Sequence, residues 1–267
     1  MCGIWHPLAS GILYPVSCIR PLVSGILHRA SCIRQLVSSI ALFKTLTMYN
    51  KQLKIGVLGS GDVGRVLASA FLKEGHPVML GTRDPSKDQV VKWKKENSGG
   101  TTGTFEETAA YGDILVLATS GSVTLSVIEM AGKENFEEKL VIDTTNPIST
   151  DPPVKGVLKF FTSLDKSLLE MIQAKIPDAN VVKAFNSVGN ALMYKPDLKG
   201  IKPTMFICGN DETAKKTTTA ILEVFGWEVE DMGPAEAARA IEPLCMLWCI
   251  PGFIRNDWTH AFKLLKK

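Results

Sequence analysis

Residues 54–75 read KIGVLGSGDVGRVLASAFLKEG, and this stretch decides the fold. Its first part, 54–58, is a short apolar run that predicts a buried strand, and the apolar spacing over 66–72 predicts a helix that ends at Gly75. Three glycines lie between them in the spacing G-x-G-x-x-G: Gly59, Gly61 and Gly64. A strand, this glycine pattern and a helix in that order predict a dinucleotide-binding turn.

Each glycine has its own task in such a turn. Gly59 permits a tight turn, Gly61 lets a pyrophosphate approach the backbone, and Gly64 allows the helix and the strand to pack closely. The helix N-terminus adds unpaired N–H groups and a partial positive charge. Asp62 is negatively charged, so we interpret it as a helix N-cap that faces away from the phosphates. A glycine-rich turn without a ligand is the alternative.

The second predicted strand, 76–80, is followed by the sequence Gly-Thr-Arg-Asp-Pro. NAD sites place a carboxylate at this strand end to bind the ribose hydroxyls. Here Thr82 and Arg83 stand at that position, and a guanidinium can bind a 2′-phosphate through two hydrogen bonds. Asp84 could serve the ribose instead, but Asp-Pro before a helical pattern predicts the N-cap and first residue of the next helix. We therefore predict NADP in preference to NAD.

Three further apolar runs, 113–118, 140–143 and 181–185, predict strands that end in small polar residues. In a parallel sheet the carboxyl ends of the strands line the ligand crevice. We expect the polar residues there to shape the pocket for the nicotinamide and its acceptor, with ordinary loop polarity as the alternative. These residues are Ser120, Asn146, Pro147 and Asn186.

The alternation of strand and helix patterns predicts an α/β fold of the Rossmann type, with a doubly wound, mostly parallel sheet. Two later runs, 203–208 and 227–230, predict strands on either side of a helix over 212–225. A C-terminal helical extension is predicted in two stretches, 235–250 and 253–265. Two prolines, Pro243 and Pro251, interrupt or separate these stretches.

Residues 1–50 differ in composition from the rest of the chain. They contain four basic residues and no Asp or Glu, and a 14-residue repeat begins at Pro7 and again at Pro21. We interpret this leader first as a dispensable extension upstream of Met48. An organelle transit peptide, which an acid-free leader with Arg and Ser fits, and a membrane-associated role are the alternatives. We treat 1–50 as an N-terminal extension and 53–267 as the NADP-binding domain, and expect a cytoplasmic protein unless the leader directs it to an organelle.

Other partners are limited by composition. The net charge is +3, and no stripe of Lys or Arg interleaved with aromatic residues is present, so we expect no nucleic-acid surface. Only two histidines follow the leader and no C-x-x-C pair occurs, so we predict no metal site. We expect no stable membrane insertion. The apolar segment 244–248 is interpreted as core, with a homodimer face as the alternative.

The ordered segments KIGVLGSGDVG, GTRDP, DILVLAT, VIDTTNP and VVKAFNSVGN resemble the family of deazaflavin (coenzyme F420)-dependent NADP oxidoreductases. Residues 205–242 are similar to the NADPH-oxidising domain of six-transmembrane metalloreductases. The resemblance covers about 53–250 and implies a Rossmann fold, with hydride transfer between NADP(H) and a flavin or deazaflavin co-substrate. It implies cofactor contacts at Gly59, Ser60, Asp62, Val63, Thr82, Arg83, Thr119 and Asn186. Relatives often have an aromatic residue where Ser120 and Gly121 stand, which leaves the acceptor open.

Hydride transfer between two rings requires close and correct orientation and no protein nucleophile. We therefore assign no catalytic side chain and expect a small-molecule hydride acceptor. Two alternatives remain at this point. One is an NADP-binding sensor without turnover, and the other is a carbonyl or imine reductase, for which Lys183 is the acid/base candidate at a strand end.

Overall fold

The structure, a computed structural model, describes residues 52–267 and two short strands near the N-terminus, β1 (Trp5–Pro7) and β2 (Leu13–Pro15). These two strands pair in antiparallel fashion. The chain divides into two units, Met1–Asn50 and Lys51–Lys267. Apart from β1 and β2, what we predicted for the leader lies outside the described residues.

Eight strands form one sheet in the second unit. They are β3 (Ile55–Leu58), β4 (Val78–Gly81), β5 (Gly100–Gly103), β6 (Ile114–Leu117), β7 (Leu140–Asp143), β8 (Asn180–Lys183), β9 (Thr204–Gly209) and β10 (Glu228–Asp231). Their order across the sheet is β10-β9-β8-β7-β6-β3-β4-β5. Six neighbouring strands, β5, β4, β3, β6, β7 and β8, are mutually parallel. Strand β9 pairs antiparallel with β8, and β10 runs parallel to β9. The prediction of a doubly wound, mostly parallel sheet is confirmed.

Helices connect the strands and cover the sheet. They are α1 (Asp62–Lys73), α2 (Asp88–Glu96), α3 (Phe105–Tyr111), α4 (Gly121–Ala131), α5 (Leu168–Lys175), α6 (Glu212–Val224), α7 (Ala238–Ile241) and α8 (Pro243–Arg255). Short 3-10 turns occur at Lys133–Phe136, Asn190–Leu192 and Ala235–Ala237. Capping boxes begin α3 at Thr104 and α5 at Ser167, each with a glutamate three residues later.

The core lies around the three central strands, because a parallel sheet covered by helices is buried on both faces. All residues of β3, β6 and β7 are buried, which explains their nearly continuous runs of Val, Ile and Leu. Only β7 ends in a charged residue, Asp143, and its side chain is fully buried. The charge at this central position requires a partner inside the protein.

The predicted helix over 253–265 is wrong. Helix α8 ends at Arg255, and Asn256 adopts a left-handed conformation with φ of 53° that terminates it. The following residues instead bond to the start of β9, where the Thr204 N–H donates to the Phe262 carbonyl at 2.8 Å. Pro251 lies inside α8 and does not separate two helices, whereas Pro243 occupies its first turn, where a missing N–H costs nothing.

One strand of the eight-stranded sheet escaped prediction. The sequence Gly-Thr-Thr-Gly of β5 lacks the apolar alternation of a strand, but the segment pairs in parallel with β4 at the edge of the sheet. Gly100 is needed because a Cβ atom there would lie 2.5 Å from the Trp93 ring. Close packing against α2 therefore selects glycine over a strand-forming residue.

Within residues 52–267, one helical stretch has the length and apolar composition of a membrane span, Ala235–Arg255, with a mean hydropathy of 1.3. It consists of the 3-10 turn and helices α7 and α8. Its Ile241, Cys245 and Trp248 side chains are buried in the domain. The core helix of a globular protein has the same composition, so this stretch is weak evidence for insertion.

Candidate cofactor site

The carboxyl ends of β3 and β6 lie side by side at the centre of the sheet, where the strand order reverses direction. Open α/β sheets bind ligands in the crevice at such a switch point. Gly59 leaves β3 with φ of +129°, and a Cβ atom there would lie 2.3 Å from the Ala118 carbonyl oxygen. Both the backbone conformation and the close contact require glycine at the entrance to this crevice.

The other two glycines of the turn differ in what surrounds them. A Cβ atom on Gly64 would lie 1.8 Å from the Gly59 carbonyl oxygen, so this glycine holds α1 against the turn. Gly61 is exposed, and a Cβ atom there would meet no atom within 4 Å. The space in front of Gly61 is thus open to a ligand that approaches the backbone.

Helix α1 points its N-terminus into the crevice. Its N-cap is Gly61, with no side chain that caps the helix, so the interpretation of Asp62 as the N-cap is wrong. Asp62 is the first helical residue, and its exposed carboxylate binds the Arg65 guanidinium at 2.5 Å. The same guanidinium donates to the Ser60 carbonyl at 2.6 Å, which fixes the turn from behind. Val63 follows Asp62 in the first turn and is half-buried.

Ser60 connects the glycine turn to the end of β4. Its hydroxyl donates to Thr82 Oγ1 at 3.0 Å, and Thr82 Oγ1 donates in turn to the Asp84 carbonyl at 3.2 Å. Thr82 is 3% exposed, so its hydroxyl organises the loop from inside. The next residue, Arg83, is exposed and makes no hydrogen bond or ion pair with another described residue. A free guanidinium therefore stands at the end of β4.

Asp84 does not cap the following helix, contrary to our prediction. Helix α2 begins at Asp88 with Lys87 as its N-cap residue. The Asp84 carboxylate instead accepts hydrogen bonds from the Ser86 backbone N–H at 2.9 Å and from the Ser86 hydroxyl at 2.6 Å. These bonds lower the pKa of Asp84. The Asp84 carboxylate, which could have bound the ribose hydroxyls of NAD, is thus engaged in a local turn with Ser86.

The connection after β6 lies on the opposite side of the crevice. Thr119 Oγ1 is 2.9 Å from Thr124 Oγ1, and the exposed Ser120 hydroxyl is 3.1 Å from that of Ser122. A Cβ atom on Gly121 would lie 2.0 Å from the Asn146 carbonyl oxygen. Helix α4 therefore begins in direct contact with the loop that follows β7.

Asn146 and Asn186 meet at the ends of β7 and β8. Asn146 Nδ2 donates to the Asn186 carbonyl at 2.8 Å, and Asn186 Nδ2 donates to Asn146 Oδ1 at 3.2 Å and to the Ile241 carbonyl at 3.0 Å. Asn186 Oδ1 is buried and has no hydrogen-bond partner within the described chain. Pro147 is buried beside Asn146, and its carbonyl accepts from the Phe161 N–H at 2.9 Å. The structure thus brings together three of the predicted residues.

The chain reaches Asn186 through an unusual backbone conformation. Phe185 has φ of +62°, in the left-handed region that non-glycine residues rarely adopt, and its side chain is 1% exposed. Strain of this kind persists where the surrounding structure holds it, and it is often found at ligand sites.

Sequence reasoning missed a buried ionic cluster behind the two asparagines. Lys183 Nζ lies 2.6 Å from Asp143 Oδ2 and 2.9 Å from Glu242 Oε1, and it donates to the Thr145 carbonyl at 2.8 Å. Burial alone would lower the pKa of Lys183, but the two carboxylates raise it. One signal was present in the sequence, since charged residues end two strands that are otherwise apolar.

Possible metal ligands and thiols are the remaining groups that could carry chemistry in the domain. Over residues 52–267, no group of three or more His, Cys, Asp or Glu side chains is arranged to hold a metal ion. Cys208 and Cys245 are buried free thiols, while Cys249 is half-buried.

Comparison with known proteins identifies the family of this chain. The profile of the NADP oxidoreductase family described as coenzyme F420-dependent matches residues 54–147. The F420-dependent NADP reductase of Methanocaldococcus jannaschii is 30% identical over 205 residues, which cover 73% of this chain and 90% of that protein. This chain belongs to the F420-dependent NADP oxidoreductase family. It is therefore an NADP-dependent oxidoreductase, as the resemblance implied.

Two further comparisons extend this result. The crystal structure of a protein assigned as an F420-dependent NADP reductase from Arthrobacter sp. FB24 has a TM-score of 0.75 and 30% identity, and the match covers 80% of this chain and 100% of that one. Metalloreductase STEAP3 of Rattus norvegicus is 27% identical over 203 residues, 74% of this chain but 38% of that protein. This chain therefore spans well under half of that metalloreductase.

Proposed function

We propose that this oxidoreductase binds NADP(H) across the switch point of the sheet and exchanges a hydride with a flavin or deazaflavin. The M. jannaschii relative is named for such a deazaflavin acceptor. The observation that carries the proposal is the exposed guanidinium of Arg83 at the end of β4, where the extra phosphate of NADP would lie.

The glycine turn fits the pyrophosphate. Gly61 leaves open space in front of its backbone, and the uncapped N-terminus of α1 presents N–H groups with a partial positive charge. Arg65 binds the Ser60 carbonyl and the Asp62 carboxylate, so the one acid of the turn is neutralised. We assign Gly59, Ser60, Gly61, Asp62, Val63 and Gly64 to this contact.

The end of β4 fits the adenosine half. Arg83 can form two parallel hydrogen bonds with a 2′-phosphate, a geometry that a lysine cannot reproduce. Thr82 positions Ser60 from inside the loop, and Asp84 is engaged by Ser86. The chain therefore offers a cation and no free carboxylate at this position, which favours NADP over NAD.

The ends of β6, β7 and β8 fit the nicotinamide half. Asn186 Oδ1 is a buried acceptor without a partner in the described chain, and a carboxamide N–H would satisfy it. We assign Thr119, Ser120, Asn146, Pro147 and Asn186 to this part of the pocket. When NADPH is bound, the nicotinamide supplies the hydride, and the role of the side chains is to orient the ring and exclude water.

Lys183 bears on the alternative of a carbonyl or imine reductase. Such a reaction calls for an acid or base that can reach its substrate. The Lys183 side chain is 0% exposed, and its ammonium group already binds two carboxylates and a carbonyl. This environment favours direct hydride exchange between two rings over proton transfer from Lys183.

Titration calorimetry with NADPH and NADH tests the cofactor half of the proposal. We expect at least about tenfold tighter binding of NADPH, and we expect Arg83→Gln to remove that preference, since a charged hydrogen bond contributes about 1.5–3 kcal/mol. Lys87→Gln is the matched control, because Lys87 is exposed four residues away. Equal affinities for NADPH and NADH in the unmodified protein would contradict the proposal.

The acceptor half requires turnover. We expect NADPH oxidation to accelerate when a deazaflavin, FMN or riboflavin is added, and deuterium from labelled NADPH to appear at the acceptor carbon of the deazaflavin. Tight NADPH binding without consumption by any of these acceptors would favour the sensor alternative.

A further inference from the structure

The ionic cluster of Lys183, Asp143 and Glu242 joins four separate parts of the chain. Asp143 ends β7, Lys183 ends β8, and Glu242 lies between α7 and α8. The Glu242 carboxylate also accepts hydrogen bonds from the Leu168 N–H at 2.9 Å and the Leu169 N–H at 3.0 Å, at the start of α5. All three ionic side chains are at most 2% exposed.

Charge balance explains why such a cluster is tolerated in the core. One ammonium faces two carboxylates, which leaves a net negative charge inside the protein. The N–H groups at the start of α5 offset that charge, because a helix N-terminus carries a partial positive charge. Each buried charge is therefore paired and hydrogen-bonded, as a low-dielectric interior requires.

The cluster reaches Asn146 through Thr145. Asp143 Oδ1 accepts from the Thr145 N–H at 2.9 Å and from the Thr145 hydroxyl at 2.7 Å, while Lys183 binds the Thr145 carbonyl. Thr145 is thus held on three sides, and Asn146 is the next residue. The ionic cluster therefore fixes the position of Asn146 through the backbone of Thr145.

The cluster reaches Asn186 by a second route. Glu242 is adjacent to Ile241, whose carbonyl accepts the hydrogen bond from Asn186 Nδ2. This bond and the bond to Asn146 use both protons of the Asn186 amide. As a result Asn186 Oδ1, the buried acceptor without a partner in the described residues, is the group left for a ligand.

We propose that the Lys183–Asp143–Glu242 cluster is a positioning device that holds Asn146 and Asn186 in the orientation that receives the nicotinamide carboxamide. The inference rests on the proposed function, because it assumes that the nicotinamide half lies at the ends of β7 and β8. The cluster sets the affinity for the nicotinamide half of the cofactor and leaves the affinity for the adenosine half unchanged.

A second buried lysine provides a matched control. Lys215 on α6 is 5% exposed and binds Glu212 at 2.7 Å and Asp231 at 2.9 Å. Like Lys183 it pairs with two carboxylates, but these are exposed and lie on α6 and at the end of β10. Lys215→Met thus controls for the removal of a buried ammonium group and its ion pairs away from the two asparagines.

The test compares NADPH with adenosine 2′,5′-bisphosphate, which lacks the nicotinamide half, by titration calorimetry. We expect Lys183→Met and the milder Glu242→Gln to weaken NADPH binding about tenfold and to change the binding of the bisphosphate less than about twofold. Lys215→Met is expected to leave both affinities within about twofold. Glu242→Gln keeps the side-chain size, so it remains informative if Lys183→Met does not fold.

A second readout requires no cofactor. The side-chain amide resonances of Asn146 and Asn186 in nitrogen-15 NMR spectra should shift in Glu242→Gln and stay unchanged in Lys215→Met. Equal weakening of both ligands, or unchanged NADPH affinity and unchanged asparagine resonances in the cluster variants, would overturn the inference alone. An unmodified protein that binds neither ligand would refute the proposed function and the inference together.

Discussion

The Ser60 hydroxyl donates to Thr82 Oγ1 at 3.0 Å, and this bond ties the glycine turn after β3 to the loop after β4. The two residues are 22 positions apart in the sequence, and each is next to a proposed phosphate contact, Gly61 or Arg83. Because Thr82 also accepts from the Asp84 N–H at 3.2 Å, one buried oxygen sets the relative position of both loops.

Replacement of this oxygen should loosen both loops. We expect Thr82→Val to weaken NADPH binding about three- to tenfold and to lower the free energy of unfolding by about 1 kcal/mol, since the hydrogen bonds disappear while the volume is kept. Calorimetry and urea unfolding measure the two effects. Thr101→Val is the control, because the exposed Thr101 hydroxyl bonds only to the Val78 carbonyl at the sheet edge. NADPH affinity that survives Thr82→Val intact would contradict this role.

Replacement by alanine should have different effects at two glycines of the turn. We expect Gly64→Ala to lower the free energy of unfolding by more than about 3 kcal/mol, because its Cβ would overlap the Gly59 carbonyl oxygen at 1.8 Å. Gly61→Ala should fold with a change of less than about 1 kcal/mol, since φ is −69° and the space is open. Its methyl group should nevertheless weaken NADPH binding at least about tenfold. Urea unfolding and calorimetry on the two variants separate the effects, and normal NADPH affinity in Gly61→Ala would argue against a pyrophosphate there.

Acid stability should depend on Glu170. The Arg239 guanidinium lowers the pKa of Glu170 to about 2, from an ordinary value of 4.5. A lowered pKa gives a stabilising contribution that is complete above the ordinary value and is lost as the pH falls through about 2. We expect Glu170→Gln to lower the free energy of unfolding by about 1 kcal/mol near neutral pH, and we expect the difference to shrink as the pH falls below 4.5.

Urea unfolding as a function of pH measures this contribution. Asp151→Asn is the control, because Asp151 pairs with Lys159 at 2.8 Å on the exposed surface, where such pairs contribute little. A Glu170→Gln difference that persists undiminished near pH 2 would show that the charge is not its source.

The thiols of the domain should react in a fixed order. Burial raises the pKa of Cys208 to about 12, and the hydrogen bond from Cys245 lowers the pKa of the half-buried Cys249. Because the thiolate is the reactive form, iodoacetamide should modify Cys249 before Cys208 and Cys245. Peptide mass spectrometry after timed alkylation reports each site separately, and Cys249→Ser supplies the reference digest. Earlier modification of Cys208 would contradict the structure.

The sequence was sufficient to predict the sheet and the phosphate turn because both depend on local patterns. Apolar runs mark strands buried on both faces, and the glycine spacing follows from contacts within a few residues of β3. The order of segments also indicated the family. Arg83 was placed correctly at the end of β4, although the reason offered for Asp84 was wrong, since its partner is Ser86 and not the next helix.

Features that depend on distant contacts could not be read from local patterns. The extended segment after α8 has a helical apolar pattern, but Thr204 and Trp248 bond to its carbonyl groups and hold it in another conformation. The partnership of Lys183 with Glu242 joins residues 59 positions apart, and no spacing rule connects them. Asn186 Oδ1, which has no partner among residues 52–267, is likewise a result of packing, because contacts with the distant Asn146 and Ile241 take both amide protons.

Strands β9 and β10 run opposite to the other six strands of the sheet, so their carboxyl ends lie at the opposite end of the sheet from the glycine turn. The turns that follow them contain Asn210 and Met232. Met232 is 49% exposed. A fluorescent dye or a surface-immobilisation handle attached through Met232→Cys, in a variant without other reactive thiols, would therefore leave the entrance of the crevice unobstructed, which suits the chain to single-molecule and biosensor formats.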